Sequence, residues 1–188
     1  MRWFCYISLL LILASCSKEQ KLETVTVAQF SAFVDATGYV TDAEKFGWSI
    51  VQQTVYDFKT QPGATWQKPD GITLAQPQFP VTQVSYNDAK AYAKWANVQL
   101  PNYQKFWEHA WQDKRKINTN NKAIKPVANS NLIGNVWDIT EPIKGEQIRL
   151  AGGSYLCDES TCNGRDPYRE LYVDKMTGNT HIGFSVLK

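Results

Sequence analysis

Cys157 and Cys162 lie in the stretch GGSYLCDESTC with four residues between them, and no other residues of this chain are as well placed to do chemistry. The chain has 4 cysteines. Cys5 and Cys16 belong to an N-terminal apolar segment, so the remainder carries this one close pair, just after a Gly-Gly turn and a serine. A close thiol pair is a disulfide, a soft-metal site or a redox centre. By residue type alone, in an oxidising compartment, the disulfide is the favoured reading. Other chemistries find little support. The 2 histidines, His109 and His181, are too few for a three-histidine iron site and read as structural. The acidic residues are scattered and suggest no carboxylate dyad, and no Ser-His-Asp set, phosphate loop or zinc spacing occurs.

The N-terminus gives the compartment. Arg2 supplies a minimal positive charge, and Phe4 to Ala14 is an apolar run broken only by Ser8. That is too short to span a bilayer but suits the hydrophobic region of a signal peptide. The run ends in Leu13-Ala14-Ser15-Cys16, which is similar to a bacterial lipobox. Small residues before Cys16 suit a signal peptidase, and its thiol would carry the lipid. Several acyl chains at ~0.8 kcal/mol per buried methylene make a stable anchor. Ser17, rather than Asp, follows and favours an outer-membrane destination. The expected organisation is a lipoprotein signal peptide over 1–15, a polar tether over 16–24 and one domain over 25–188, lipid-anchored in the cell envelope.

A domain of this length can hold a real core. Hydrophobic residues make up 43% and charged residues 20% of the 188, as in an ordinary globular protein. A net charge of +2 with scattered basic residues argues against nucleic-acid binding. The 7 Trp, 9 Tyr and 8 Phe, with 11 Gly and 8 Pro, point to a loop-rich fold held by aromatic packing.

The elements that must position the cysteines can be traced in outline. Thr26 and Gln29 form a capping box that opens a helix carrying Phe30, Phe33 and Val34 on one face, with Gly38 as its stop. Residues 39–70 read as a long irregular region with a strand near Ser49 to Tyr56. Pro80 to Val84 is a strand candidate. Ser85 and Asp88 cap a second helix, and Asn102 caps a third with Phe106, Trp107 and Ala110 inward. Strands are expected on either side of Lys144-Gly145, and a last one over Ile182 to Leu187. Helices first, then strands and loops, is an α+β order.

Four segments together carry a family resemblance. They are VTVAQF through TGYVT with FGWS; GATWQKPDG; PV to WA and then LP; and NLIGNVWD through GGSYLC to Gly183-Phe184. In this order they resemble the formylglycine-generating enzymes, or sulfatase-modifying factors, whose fold is related to the C-type lectin fold. The resemblance implies a copper-dependent oxidase that uses O2 to convert the cysteine of a sulfatase Cys-x-Pro-x-Arg segment to Cα-formylglycine. Cys157 and Cys162 match its Cu(I) pair, in keeping with the preference of soft thiolates for Cu(I). Ser154 matches the serine beside the oxygen pocket, and Trp137 the pocket wall. Asn131 and Asp138 match side-chain ligands of a Ca2+ site, and Gly134 and Val136 match its carbonyl ligands, an oxygen set of the kind Ca2+ takes.

The chain also departs from the family's pattern. Asp138 replaces the usual Glu, Thr161 the usual Tyr, and Ser185 the Arg of a closing Gly-Phe-Arg. The segment for a second calcium site is shortened between Gln112 and Asn129, and the N-terminal strands that usually precede the first helix are missing. The alternative expectation is therefore a non-catalytic scaffold or binding lipoprotein of the same fold.

Overall fold

Among the described residues, four short helices come from local signals, three of them opened by reciprocal capping boxes. The structure, a computed structural model, describes residues 20–119, 125–144, 147–158, 160, 162 and 164–188. The expected signal segment, Cys16 and Thr161 lie outside the described residues. Helix α1 (Val27–Thr37) opens on Thr26, whose hydroxyl accepts from Gln29 N while Gln29 Oε1 accepts from Thr26 N, and it ends at left-handed Gly38. Helix α2 (Asp42–Phe46) uses Thr41 and Glu44 in the same way, and α3 (Tyr86–Ala96) uses Ser85 and Asp88. Asn102 caps α4 (Tyr103–Ala110). The carboxylates at the starts of α2 and α3 join these two helices. Asp88 Oδ1 accepts from Asp42 N and from the Tyr39 hydroxyl, and Asp42 Oδ2 accepts from the Ser85 hydroxyl at 2.8 Å.

Among the described residues, eight short strands form three small sheets. Strand β1 (Leu22–Thr24) pairs antiparallel with β8 (Ser185–Leu187), Leu22 opposite Leu187. Strands β2 (Trp48–Gln52) and β3 (Phe58–Pro62) make a hairpin. The third sheet runs β6 (Tyr172–Val173), β5 (Ile148–Ala151), β4 (Trp137–Ile139), β7 (Ile182–Gly183), with only the β4–β7 pair parallel. This is the expected α+β, loop-rich architecture.

Three expectations change. The end of the stretch read as a tether is strand β1, because Leu22 is buried and residues 22–24 and 185–187 satisfy each other's backbone groups. Pro80 to Val84 is not a strand: Gln83 takes φ +59, which breaks the extended run, and its N–H turns to Asn179 O. Helix α2 interrupts the region read as irregular; its signal, Thr41 followed by Glu44, was present in the sequence.

The aromatic residues meet at Phe30. Its ring lies edge-on to Phe33, Trp66 and Phe184 and stacked with Tyr92, all at centroid distances of 5.3–6.3 Å. Phe184 sits between β7 and β8, so this core ties α1 and α3 to the strand that follows His181. A second cluster packs Phe106 and Trp107 of α4 against Leu132 and Ala151.

The Ser85 hydroxyl both caps α3 and donates to a buried carboxylate. Ser85→Ala is expected to cost about 1–2 kcal/mol, read in urea unfolding as a lower midpoint with an unchanged m-value. An unchanged midpoint would mean that the joint between α2 and α3 carries no stability.

Candidate active site

Gly152 and Gly153 end strand β5 with φ +85 and +78, a region that residues with a Cβ rarely enter. Space excludes a side chain as well. A Cβ on Gly152 would lie 2.8 Å from the Phe106 ring and 2.7 Å from Leu132 O. One on Gly153 would lie 2.5 Å from Gly164 Cα. Helix α4 therefore buttresses the turn from one side, and the segment after Cys162 packs on the other. Gly134 N donates to Gly152 O at 2.7 Å and Tyr155 N to Asn135 O at 3.0 Å, which joins the turn to the loop before β4.

Beyond this turn, local backbone hydrogen bonds bring the chain back on itself at Cys157 and Cys162. Cys157 N donates to Ser154 O, and Cys162 N to Asp158 O. The two cysteines form a disulfide with Cα atoms 5.0 Å apart. Cys157 is fully buried and Cys162 nearly so, in the same core cluster as Trp137. Ser154 is also fully buried. Its N–H points at Cys157 Sγ (3.3 Å), its hydroxyl lies 3.9 Å from that sulfur, and Leu156 N donates to Ser154 Oγ at 3.3 Å. The structure thus brings Cys157, Cys162, Ser154 and Trp137 into one buried region.

It adds a residue that the sequence reading set aside as structural. His181 Nδ1 lies 3.1 Å from Ser154 Oγ. The ring is buried, edge-on to Tyr155, and burial pushes its pKa down to about 4, so it is neutral at pH 7. Three segments place it. Gln83 N donates to Asn179 O, Thr180 N donates to Ile50 O, and His181 O accepts from Trp137 N at 2.8 Å. Its only sequence signal was its position just before the Ile182-Gly183-Phe184 run.

The residues expected to hold calcium lie on the loop before β4 and on β4 itself. Gly134 (φ +81) makes the turn. The Asn131 amide is heavily used: Nδ2 donates to Asp113 O and Arg115 O, and Oδ1 accepts from Ile133 N. Asp138 is fully buried. Burial raises its pKa to about 7, opposed by hydrogen bonds from Ser185 and by the charge of Arg115. Among the described residues its Oδ1 has no hydrogen-bond partner. Among the described residues no cluster of three or more His, Cys, Asp or Glu side chains forms a metal cage.

A groove of about 1100 Å³, bordered by Glu23, Gln29, His109, Asp113, Lys114 and Arg115, lies apart from the cysteines. Its lining contains no cysteine, so it is separate from the site built on Cys157, Cys162, Ser154 and Trp137.

A family model described as "Sulfatase-modifying factor enzyme 1-like domain" matches residues 21–129, a span that ends before the cysteine turn. A formylglycine-generating enzyme of Streptomyces coelicolor is 32% identical, covering 74% of this chain and 68% of that protein. An inactive C-alpha-formylglycine-generating enzyme 2 of Mus musculus is 27% identical, covering 83% of this chain and 68% of that protein. The solved structure of PvdO from Pseudomonas aeruginosa has a TM-score of 0.62 at 14% identity, covering 87% of this chain and 77% of that one, a likeness of fold alone.

The His181 ring makes stability pH-dependent. Between its folded pKa of about 4 and its ordinary 6.5 the unfolded chain binds more protons. Stability from this group is therefore complete above pH 6.5 and lost as pH falls through 4, by about 3 kcal/mol. Asp138, raised to about 7, acts in the opposite direction. The effect is thus read as a difference: the stability gap between wild type and His181→Gln is expected to shift in favour of the variant from pH 7 to pH 4.5. Parallel pH curves in urea unfolding would rule out a buried neutral imidazole.

Proposed function

This chain belongs to the sulfatase-modifying factor enzyme family, and from that premise we propose that it is a copper-dependent oxidase that uses O2 to convert the cysteine of a Cys-x-Pro-x-Arg protein segment to Cα-formylglycine. The observation that carries the reading is the buried meeting of Cys157 and Cys162 beside Ser154, in a cluster that includes Trp137. Two sulfurs close enough to bond are, once reduced, two soft ligands that one ion can share. Cu(I) held by Cys157 and Cys162 would supply a soft, redox-active centre for the substrate thiol and O2.

The chain's own residues account for the rest. The rigid glycine turn fixes where the sulfurs lie. The apolar surroundings of Trp137 exclude water and so limit side oxidation. The Ser154 hydroxyl is a polar group within that dry region. The overall balance consumes one O2 and two electrons with two protons from a thiol reductant. The substrate carbon becomes an aldehyde, its sulfur leaves as hydrogen sulfide, and the second oxygen atom leaves as water.

Calcium is proposed at Asn131, Gly134, Val136 and Asp138. The unpartnered Asp138 Oδ1 supports a cation there, and an amide oxygen with two lone pairs leaves Asn131 Oδ1 one to offer. With one carboxylate in the set, the site would be weak. The Leu13-Ala14-Ser15-Cys16 run supports a lipid anchor at Cys16 and work in the cell envelope, on a sulfatase or another protein substrate. A second reading is a non-catalytic scaffold or binding lipoprotein of the same fold. The disulfide favours it, because thiolate and not disulfide is the metal ligand.

The oxidase reading is tested with copper-loaded protein, a thiol reductant, O2 and a peptide bearing Cys-x-Pro-x-Arg, with the aldehyde trapped by hydroxylamine. Wild type is expected to form it, and Cys157→Ser or Cys162→Ser to lower the rate roughly 10³-fold or more. No aldehyde from copper-loaded wild type would leave the scaffold reading. For calcium, saturating Ca2+ is expected to raise the melting temperature by roughly 2–4 °C per kcal/mol of binding, and Asp138→Asn to abolish the rise. Equal melting with Ca2+ and with chelator would remove calcium from the account.

A further inference from the structure

We infer that His181 is a positioning residue whose tautomer directs the Ser154 hydroxyl either at the imidazole or at the Cys157 sulfur, so that the redox state of the cysteine pair and the state of the ring are coupled. The catalytic meaning of this coupling rests on the oxidase reading; the coupling itself does not.

Hydrogen-bond capacity limits what the buried Ser154 hydroxyl can do. Ser154 has no access to solvent, so its hydroxyl must find partners inside the protein. A hydroxyl offers one proton and two lone pairs. Leu156 N–H takes one lone pair. Among the described residues two candidates remain for the proton, His181 Nδ1 at 3.1 Å and Cys157 Sγ at 3.9 Å. A neutral imidazole carries one N–H, on Nδ1 or on Nε2. With the proton on Nε2, Nδ1 accepts and the hydroxyl points at the ring. With the proton on Nδ1, the ring donates into the second lone pair of Ser154 Oγ, and the hydroxyl proton is left to the sulfur. Among the described residues these are the two arrangements that satisfy the Ser154 hydroxyl.

The sulfur decides between the two. A disulfide sulfur is a poor acceptor, and at 3.9 Å it competes badly with a ring nitrogen at 3.1 Å. Reduction by a dithiol breaks the S–S bond, passes two electrons and two protons to the pair, and leaves the reagent as its own disulfide. The freed Cys157 sulfur is a better acceptor, most of all where it carries charge, and the hydroxyl turns to it. The ring then moves its single proton from Nε2 to Nδ1, with no change in its net charge. The backbone restricts other responses. Ser154 N–H already points at the sulfur, and His181 is held through Trp137 N and the pinned 179–180 segment. In the oxidase reading, Ser154 faces the sulfur pocket only when the pair is reduced and ready.

The full-length chain labelled with 15N at histidine contains two imidazoles, and His109→Gln assigns the second. In the oxidised protein the acceptor-type nitrogen signal of His181 is expected at Nδ1. On reduction with dithiothreitol it is expected to move to Nε2. Ser154→Ala should lose this redox response, and Ser154→Gly replaces it as the control should the alanine variant not fold. An unchanged His181 spectrum on reduction of wild type would overturn the inference, as would an equal change in the serine variant. A protein that shows the exchange but converts no peptide keeps the coupling and loses the oxidase reading. One that converts peptide without the exchange loses the coupling alone.

Discussion

Close packing around two glycines holds the site in place. Gly152 is wedged against the Phe106 ring, and Gly153 against the backbone of Gly164. Because neither position has room for a Cβ, the chain leaves β5 on one path only. That path delivers Ser154, Cys157 and Cys162 into the core rather than onto the surface. Helix α4, opened by Asn102 and facing inward through Phe106, supports the turn without touching the chemistry itself. The shape of the cysteine turn is thus set by residues about fifty positions earlier in the chain.

The second constraint is electrostatic. Ser154, His181 and Asp138 are polar side chains with almost no contact with water. Burial pushes the imidazole towards its neutral form at physiological pH and brings the Asp138 carboxyl close to its neutral form. A region that disfavours fixed charge penalises an unpaired sulfur anion, so thiolates at Cys157 and Cys162 would need a cation beside them. It is also one where a single hydrogen bond has large consequences, since unsatisfied groups cannot turn to solvent. Oxidised, the same region is a well-packed disulfide core. The choice between enzyme and scaffold therefore turns on whether the pair opens under reducing conditions.

Sequence made much of this legible, and for local reasons. Capping signals act over three residues, so the starts of α1, α3 and α4 could be read from Thr26, Ser85 and Asn102. The same signal at Thr41 and Glu44 opens α2, but its helix is too short to show an apolar period. The Pro80–Val84 misreading came from apolar composition, whereas the left-handed Gln83 reflects its long-range bond to Asn179. Cys157, Cys162, Ser154 and Trp137 were found together because three of them share one stretch and the fourth lies in a recognisable run. His181 was missed because it joins the site through long-range contacts, to Ser154 and Tyr155 and beside the parallel pairing of β4 with β7. Arg115, whose charge reaches Asp138, was hidden for the same reason.

The central claim is that Cys157 and Cys162 are a working soft-ligand pair and not a permanent cross-link. It is tested most directly by Cu(I) titration of the reduced chain against a competing chelator, with Cys157→Ser alongside. The account requires tight one-to-one binding that disappears in the variant. A pair that resists reduction, or a reduced chain that yields its copper to the chelator as readily as the variant does, would contradict it.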